Sequence, residues 1–468
     1  MGSEWPLSTL GGIASKVKNG LVDGPFGSNL PASSYTKDGV PVIRGSNLTL
    51  GLGRFVDSAF VFVSEDTANR LSRSLCGPND IVFTKKGTIG QTGIIPEGKF
   101  EKYLISSNQM KLTVDSTIAD PLFVYYYVSS KASVDKILRD SEATGVPKIN
   151  LQYIKNFPIR LPSLGVQKSV ATILGSFDDK IALNHQINTT LESMAQALFK
   201  SWFVDFDPVI DNALAAGNPI PEELKARAET RAALGDQRKL LPDHIRQQFP
   251  DRFVKTAEMG WVPEGWPVKS LESIIELIGG GTPKTSIADY WDGDIPWFSV
   301  VDAPSASGVF VSRTEKSITQ SGLDNSSAKL LPKGTTIISA RGTVGKCAIV
   351  GRPMAMNQSC YGVKGKDCYS DYFTYYTVFL RVADLQQRSH GSVFSTITRN
   401  TFKTIKVPAC PPTLAKEFDA IAGDLMARIL KNNLQSETLS RLRNTLLPKL
   451  LSGELRIPEA EKQVEEAI

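Results

Sequence analysis

The chain has 468 residues, 41% hydrophobic and 22% charged, which admits two to four domains that each bury a core. No apolar run approaches the roughly 18 residues of a membrane span, and MGSEWPLSTLGG at the start has neither the basic nor the apolar region of a secretory signal. Five cysteines without a C-x-x-C pair and three scattered histidines (His185, His244, His390) argue against a disulfide framework or a zinc site, and for reduced thiols in a cytoplasmic protein.

The net charge of +5 is unevenly spread. Residues 1–160 carry 18 Lys and Arg against 14 Asp and Glu, and 261–412 carry 16 against 12. Residues 161–260 give 11 against 13, and 413–468 give 8 against 9. Two mildly basic blocks thus alternate with slightly acidic stretches, a weak sign of polyanion binding.

Taken in order, the first block (1–162) contains short apolar runs such as DIVFT at 80–84, bounded by Gly, Pro and Asn, which read as strands. FVYYYVSSKASVDKILRD (123–140) reads as a helix, and the block as mixed α and β. Residues 163–206 then form a long amphipathic helix, from about Leu164 to Phe203, with apolar positions at Val170, Ile173, Phe177, Ile187, Leu191, Met194 and Leu198. Residues 207–262 hold Pro219, Pro221 and a charged, Ala-rich piece, a semi-rigid connector and not a third core. The second block (263–411) repeats the mixed pattern, with TIISA at 336–340 as a strand. A second long helix opens the segment 412–468; adding 248 to the first seam gives Phe418, Ile421, Leu425, Gln435, Leu439, Leu442 and Leu446. Ser163 and Thr413 are the expected N-caps, and Pro448 is expected to kink or end the second helix near Leu447.

The repeat extends into the blocks. Trp5-Pro6 answers Trp266-Pro267, KGTIG (86–90) answers RGTVG (341–345), and LFVYYYV (122–128) answers YFTYYTV (372–378). Asn108-Gln109 answers Asn357-Gln358, and IRLP (159–162) answers IKVP (405–408).

Catalytic signatures are missing. GGGTPKTS (279–286) lacks the Gly-Lys order of a phosphate loop, NFPI (156–159) has Phe where a D/N-P-P-Y/F string needs Pro, and no G-x-S-x-G elbow occurs. Asp80 and Asp251 stand outside any nuclease-like carboxylate cluster. The chain reads as non-catalytic. What the blocks offer instead is polar loops: Ser28, Arg44, Lys85, Lys86, Thr88, Ser107, Asn108 and Gln109 in the first, and Lys284, Arg341, Thr343, Asn357 and Gln358 in the second. Arg and Lys bond guanine, and Asn and Gln bond adenine, in the major groove of double-stranded DNA, while Gly admits close backbone approach to phosphates. Each loop is also readable as a plain structural turn.

GPFGSNL, IRGSNL, KKGTIG, TGVPKIN (144–150), MAQALFKSWFVDFDP (194–208), GWVPEGW (260–266), GGGTP, RGTVG and LLPKLLSGELRI (446–457) together resemble the specificity subunit of Type I restriction–modification systems, over nearly the whole chain. HGSVFSTI (390–397) departs from the TGVPKIN-type string expected in the second copy. The resemblance implies two target-recognition domains that each read half of a split DNA sequence, joined by helical spacers. It also implies partners: two DNA adenine methyltransferase subunits using S-adenosylmethionine, and restriction motor-nuclease subunits using ATP and Mg, with no cofactor in this chain. The rival class is a non-catalytic protein scaffold built on paired helices; a third is an overlooked nuclease.

The expected fold is therefore α+β: two repeated recognition domains separated by two long antiparallel coiled-coil helices with pseudo-two-fold symmetry. Forty residues of helix span about 60 Å, enough to set two readers about one turn of DNA apart. The seam residues are Phe177, Asn184, Leu191 and Leu198 in one helix and Leu425, Asn432, Leu439 and Leu446 in the other. Antiparallel rods would bring Asn184 opposite Asn432, a polar pair able to fix register.

Overall fold

The computed structural model describes residues 5–141, 146–238, 241–304, 308–389 and 396–465, and the elements below are counted over these. The chain forms two compact units, Met1–Ala182 with Ser436–Ile468, and Leu183–Gln435. The two long helices, Leu164–Phe203 and Pro412–Ser452, each contribute one half to either unit.

Each unit repeats one strand order, although the last strand runs antiparallel to its neighbour in the first unit and parallel in the second. In the first, a five-stranded sheet runs Leu21–Asp23, Gln109–Leu112, Ile81–Thr84, Gln91–Ile94, Thr49–Leu50. In the second, Ile275–Gly279, Cys360–Gly365, Thr336–Ser339, Cys347–Val350 and Phe310–Val311 stand in the same order. The central strands Ile81–Thr84 and Thr336–Ser339 are buried at every position, as sheets covered on both faces require. A second sheet also recurs, with Val42 opposite Leu104 and Trp297 opposite Ala355 in parallel pairs. An antiparallel clasp closes each block, Leu7–Thr9 on Pro158–Arg160 and Val268–Ser270 on Lys406–Pro408. The fold is α+β and duplicated.

The run at 123–140 is two helices, Pro121–Ser129 and Lys131–Asp140, and not one. Ser130 is extended (φ −62°, ψ 150°) and its hydroxyl accepts the Ser133 N–H, a cap that favours a break over continuation.

Within each unit the two rods pair antiparallel. In the first, Val170, Leu174 and Phe177 share a core with Leu439, Leu446 and Leu450. In the second, Phe199 and Trp202 meet Phe418 at ring-centroid distances of 5.4 and 6.2 Å, while Asn184 reaches Gln435. The seam is a strict heptad. Phe177, Asn184, Leu439, Asn432 and Leu446 are buried, and Leu191, Leu198 and Leu425 are half-buried along the same line. Its companion line is Leu174, Ile181, Asn188, Ala195 and Trp202, one position C-terminal to the expected Ile173, Ile187 and Met194. Met194 of the first rod is 53% exposed and Ile421 of the second 38% exposed, so both leave the seam. Strict 3.5-residue spacing puts them on the outer flank.

Thr413 is not an N-cap. The helix starts at Pro412, whose missing N–H costs nothing in the first turn. Nor does Pro448 end the second rod, which continues to Ser452. Leu446, Leu447, Leu450 and Leu451 are all buried, and their packing holds the last turns through the proline.

The stretch 207–262 is folded against the second unit. Helices Asp207–Ala216 and Lys225–Ala233 are clamped by Arg227 donating to both oxygens of Asp207 at 2.8 Å and Arg231 donating to Asp211 at 2.7 Å. Burial alone would raise the Asp207 carboxyl, but the Arg227 hydrogen bonds hold it below its ordinary value. Phe249 then packs edge-on against Trp202 at 5.4 Å and lies 6.2 Å from Trp266. Among the described residues no helix is long and apolar enough to cross a membrane.

A candidate nucleic-acid interface

In both units the polar loops gather at one end of the two sheets, held by the same backbone frame. In the first, Ser106 N donates to Ile43 O at 3.0 Å, Gly24 N to Gln109 O at 2.9 Å, Lys85 N to Asn108 O at 2.7 Å and Ile149 N to Lys85 O at 3.0 Å. In the second, Asn357 N donates to Phe298 O at 2.9 Å, Ala340 N to Ser359 O at 2.8 Å and Ile397 N to Ala340 O at 3.0 Å at the matching positions, while Gly281 N donates to Met356 O at 3.0 Å, a bond that Pro25 at the matching position of the first unit cannot make. Five loops from distant parts of the sequence are thus locked side by side.

The frame requires two kinds of glycine. A Cβ on Gly24 would lie 2.0 Å from Ser106 O, and one on Gly280 would lie 2.0 Å from Asn357 O. Only a residue without Cβ lets those strands pass. At the KGTIG and RGTVG turns, Gly87 (φ 101°) and Gly342 (φ 74°) are open to solvent but adopt the left-handed conformation.

The frame also corrects the alignment of the copies. Gln109 pairs with Thr84 across the strands, and Cys360 with Ser339, so Gln109 corresponds to Cys360 and Ser106 to Asn357. The match of Asn108-Gln109 with Asn357-Gln358 is two residues out of register. Likewise, Ile149 and Ile397 occupy one position, which places the ends of TGVPKIN and HGSVFSTI as equivalents. Residues 144–145 and 390–395 of those strings lie outside the described residues.

Of the residues expected to face DNA, Ser28, Lys86, Thr88 and Asn108 are exposed, and Arg44 and Ser107 half-exposed. Lys85 is ion-paired to Asp23 at 3.1 Å. Gln109 is 1% exposed and accepts a hydrogen bond from the Ser106 hydroxyl, which removes it from the surface. In the second unit Lys284, Arg341, Thr343 and Gln358 are exposed, with Gln358 accepting from the Thr282 hydroxyl. Asn357 is half-buried, and its Oδ1 accepts the Ser359 N–H at 3.0 Å, a local turn contact.

Two features were missed in the sequence. Arg44-Gly45-Ser46-Asn47 and Ser299-Val300-Val301-Asp302 are the same turn, with Arg44 N donating to Asn47 Oδ1 at 3.0 Å and Ser299 N to Asp302 Oδ2 at 2.7 Å. The signal was an Asx residue four places after the last strand residue in both copies. The exposed cations Lys148 and Lys346 also border the glycine turns; Lys148 pairs with Lys86 across an isolated bridge. Among the described residues no group of three His, Cys, Asp or Glu side chains could hold a metal ion.

The geometry is that of a duplicated presenting platform: one rigid backbone frame, twice, with variable polar tips. The chain belongs to the family of the Type I restriction modification DNA specificity domain, whose model matches residues 3–193 and again 263–447. It is 28% identical over 406 residues to the Type I restriction enzyme HindI specificity subunit of Haemophilus influenzae, covering 79% of this chain and 87% of that protein. A putative Type I restriction enzyme MjaX specificity subunit of Methanocaldococcus jannaschii is 22% identical over 466 residues, covering 97% of this chain and 94% of the relative. The crystal structure of a Type I restriction-modification S subunit from M. genitalium shares the fold, with a TM-score of 0.54 at 15% identity, covering 95% of this chain and 96% of that one. Specificity subunits of this family recognise DNA and are not catalytic.

Proposed function

We propose that the chain reads a bipartite DNA target, one half with each unit, and that the paired rods set the gap between the halves. One observation carries this reading: the same backbone frame presents different side chains in the two copies. Arg44 is replaced by Ser299, Lys86 by Arg341, Ser106 by Asn357 and Phe26 by Thr282 at matching positions. Conserved scaffolding with altered tips is what two readers of different half-sites need.

In this reading Ser28, Arg44, Lys86, Thr88, Ser107 and Asn108 face one half-site, and Lys284, Arg341, Thr343 and Gln358 the other. Lys85 acts through its pair with Asp23, ordering the loop beside it. The chain recruits two adenine methyltransferase subunits and motor-nuclease subunits, and S-adenosylmethionine, ATP and Mg belong to those partners. It works on double-stranded DNA in the cytoplasm.

The test is to map methylated adenines in DNA from cells expressing the chain with its methyltransferase partner. A split motif with a fixed gap is expected; methylation without a fixed gap would overturn the bipartite reading. A protein scaffold would instead leave DNA binding by the purified complex absent, with no linear fall of log affinity against log salt.

A further inference from the structure

The two copies differ sharply at one place away from the loop ends. In the second unit, Phe199 and Phe203 of the first rod press against Phe373 (5.5 and 5.0 Å between centroids), beside Thr377 and Arg381, and leave a crevice of about 20 Å³. That is room for about one water. In the first unit the same positions, 248 to 250 residues away, are Leu447, Leu451, Tyr127 and Lys131. Here the space is an open groove of about 1090 Å³. One copy fills the groove with its own aromatic rings and the other leaves it open.

The groove floor is apolar, with Leu50, Leu52, Val134, Phe157, Leu447 and Leu451. Val134, Phe157, Leu447 and Leu451 are buried at its base, while Leu50, 59% exposed, and half-exposed Leu52 are the apolar surface that a partner would cover. Its mouth is basic: Lys131, Lys136 and Arg160 line it with Asp135 as the carboxylate among them. Lys131–Asp135 and Lys136–Asp140 are surface pairs at 2.7 Å one helical turn apart, worth only a few tenths of a kcal/mol and easily exchanged for other carboxylates. Arg160 is exposed and donates to Trp5 O at 3.2 Å. Along one wall, Pro448 supplies no N–H, so the Asn444 carbonyl one turn back lacks its helical donor.

We propose that this groove of the first unit docks an amphipathic helix with an acidic face from a partner protein, once per chain. An apolar trough with a cationic rim is what such a helix recognises: aliphatic side chains at i, i+3, i+4 and i+7 fill the floor, and flanking Glu or Asp meet Lys131, Lys136 and Arg160. The filled counterpart makes the site asymmetric. Its occupant is therefore distinct from any partner that binds both copies alike.

The experiment uses the full chain and a fluorescent 18-residue peptide with Leu at helical i, i+3, i+4 and i+7 spacing and Glu at the positions flanking that stripe. Controls are a peptide with Lys for every Glu and a shuffled peptide. Fluorescence anisotropy is expected to show saturable binding of the acidic peptide alone. Leu447→Phe with Leu451→Phe, which adds the rings of the filled copy, should weaken it at least tenfold in a variant that still melts cooperatively. If that variant unfolds, Lys131→Glu with Arg160→Glu decides: it should lose the acidic peptide and gain the basic one. Equal binding of all three peptides, or equal affinity in the charge-reversed protein, overturns the proposal. So does binding of a small anionic dye in the groove without competition from the acidic peptide.

Discussion

Gly24 and Gly280 carry a prediction that no surface property of the loops suggests. With a Cβ 2.0 Å from a carbonyl oxygen, Gly24→Ala or Gly280→Ala must push two strands apart. The expected cost is about 2–4 kcal/mol in chemical denaturation, confined to the unit that carries the change. Gly87→Ala has open space, and should cost only the left-handed backbone penalty of about 1 kcal/mol. A second residue-scale prediction concerns Asp419. Burial raises its carboxyl from 3.8 to about 6, with Asp371 adding to the shift, although the N–H groups of Tyr372 and Phe373 donate to it at 3.0 and 2.8 Å. The folded state holds that proton more tightly than the unfolded chain does. Stability should therefore fall as pH rises from about 4 to about 6 and level off above, by up to about 3 kcal/mol. Asp419→Asn should flatten that slope in thermal melts at pH 4, 5, 6 and 7; an unchanged slope would place its origin elsewhere. At this scale the sequence was informative about residue type and poor about direction. Gln109 and Asn108 are adjacent and equally polar, yet strand alternation turns one inward to Ser106 and the other out.

Helices were the most legible elements. Heptad spacing gave both rods, and the bounds of the first, because forty residues of periodic pattern outweigh any local ambiguity, whereas the second begins at Pro412 and runs past Pro448 to Ser452. The finer registration was harder to read. Ile173 and Leu174 are neighbours, and apolarity alone does not say which lies on the seam. The asparagines show the same limit. Asn184 Nδ2 reaches Asn432 O at 3.4 Å and Gln435 Oε1 at 3.1 Å, but the Asn432 side chain donates to Asn188 Oδ1 at 2.8 Å, and Asn188 in turn donates to Asn433 Oδ1 at 2.7 Å. The polar layer is thus a network across two turns. A double-mutant cycle on Asn188→Ala and Asn432→Ala should give a coupling of about 1 kcal/mol in denaturant unfolding; strict additivity would mean the amides are separately solvated. The first unit ties its rods differently. Asp178 accepts from Arg443 and from Tyr126 Oη, and Arg54 Nε lies 3.3 Å from it. Positions 195 and 426, the counterparts of Arg443 and Asp178, are Ala and Met. Asp178→Asn should accordingly lower the first unit's stability by about 1–3 kcal/mol and leave the second untouched, since it takes the carboxylate from half-buried Arg443 and one of two carboxylates from Arg54.

For the whole molecule, the duplication was readable because several short strings recur in one order, whereas the drift of their offsets hid which residues correspond. Loop insertions shift sequence numbers without shifting the backbone frame, so only strand pairing restores the correspondence. If each unit is an independent reader, exchanging residues 1–162 for the first block of a relative should change one half of the methylated motif and leave the other half alone. A change in both would show that the readers are coupled. Inserting one heptad near Thr189–Thr190 adds about 10 Å of helix. It is expected to alter the gap or abolish methylation, and an unchanged gap would remove the rods from any ruler role.

The first unit is assembled from both ends of the chain, with Ser436–Ile468 completing what Met1–Ala182 begins. On the ribosome these parts emerge about 250 residues apart, a wait of roughly ten to fifty seconds at 5–20 residues per second. Until then the face of Phe177 and Leu174 has no Leu439 or Leu446 to cover it. The second unit, contiguous from Leu183 to Gln435, is finished earlier. The block made first is therefore the last to mature, and a nascent chain stalled before residue 436 should already hold a folded second unit while its first remains a client for chaperones.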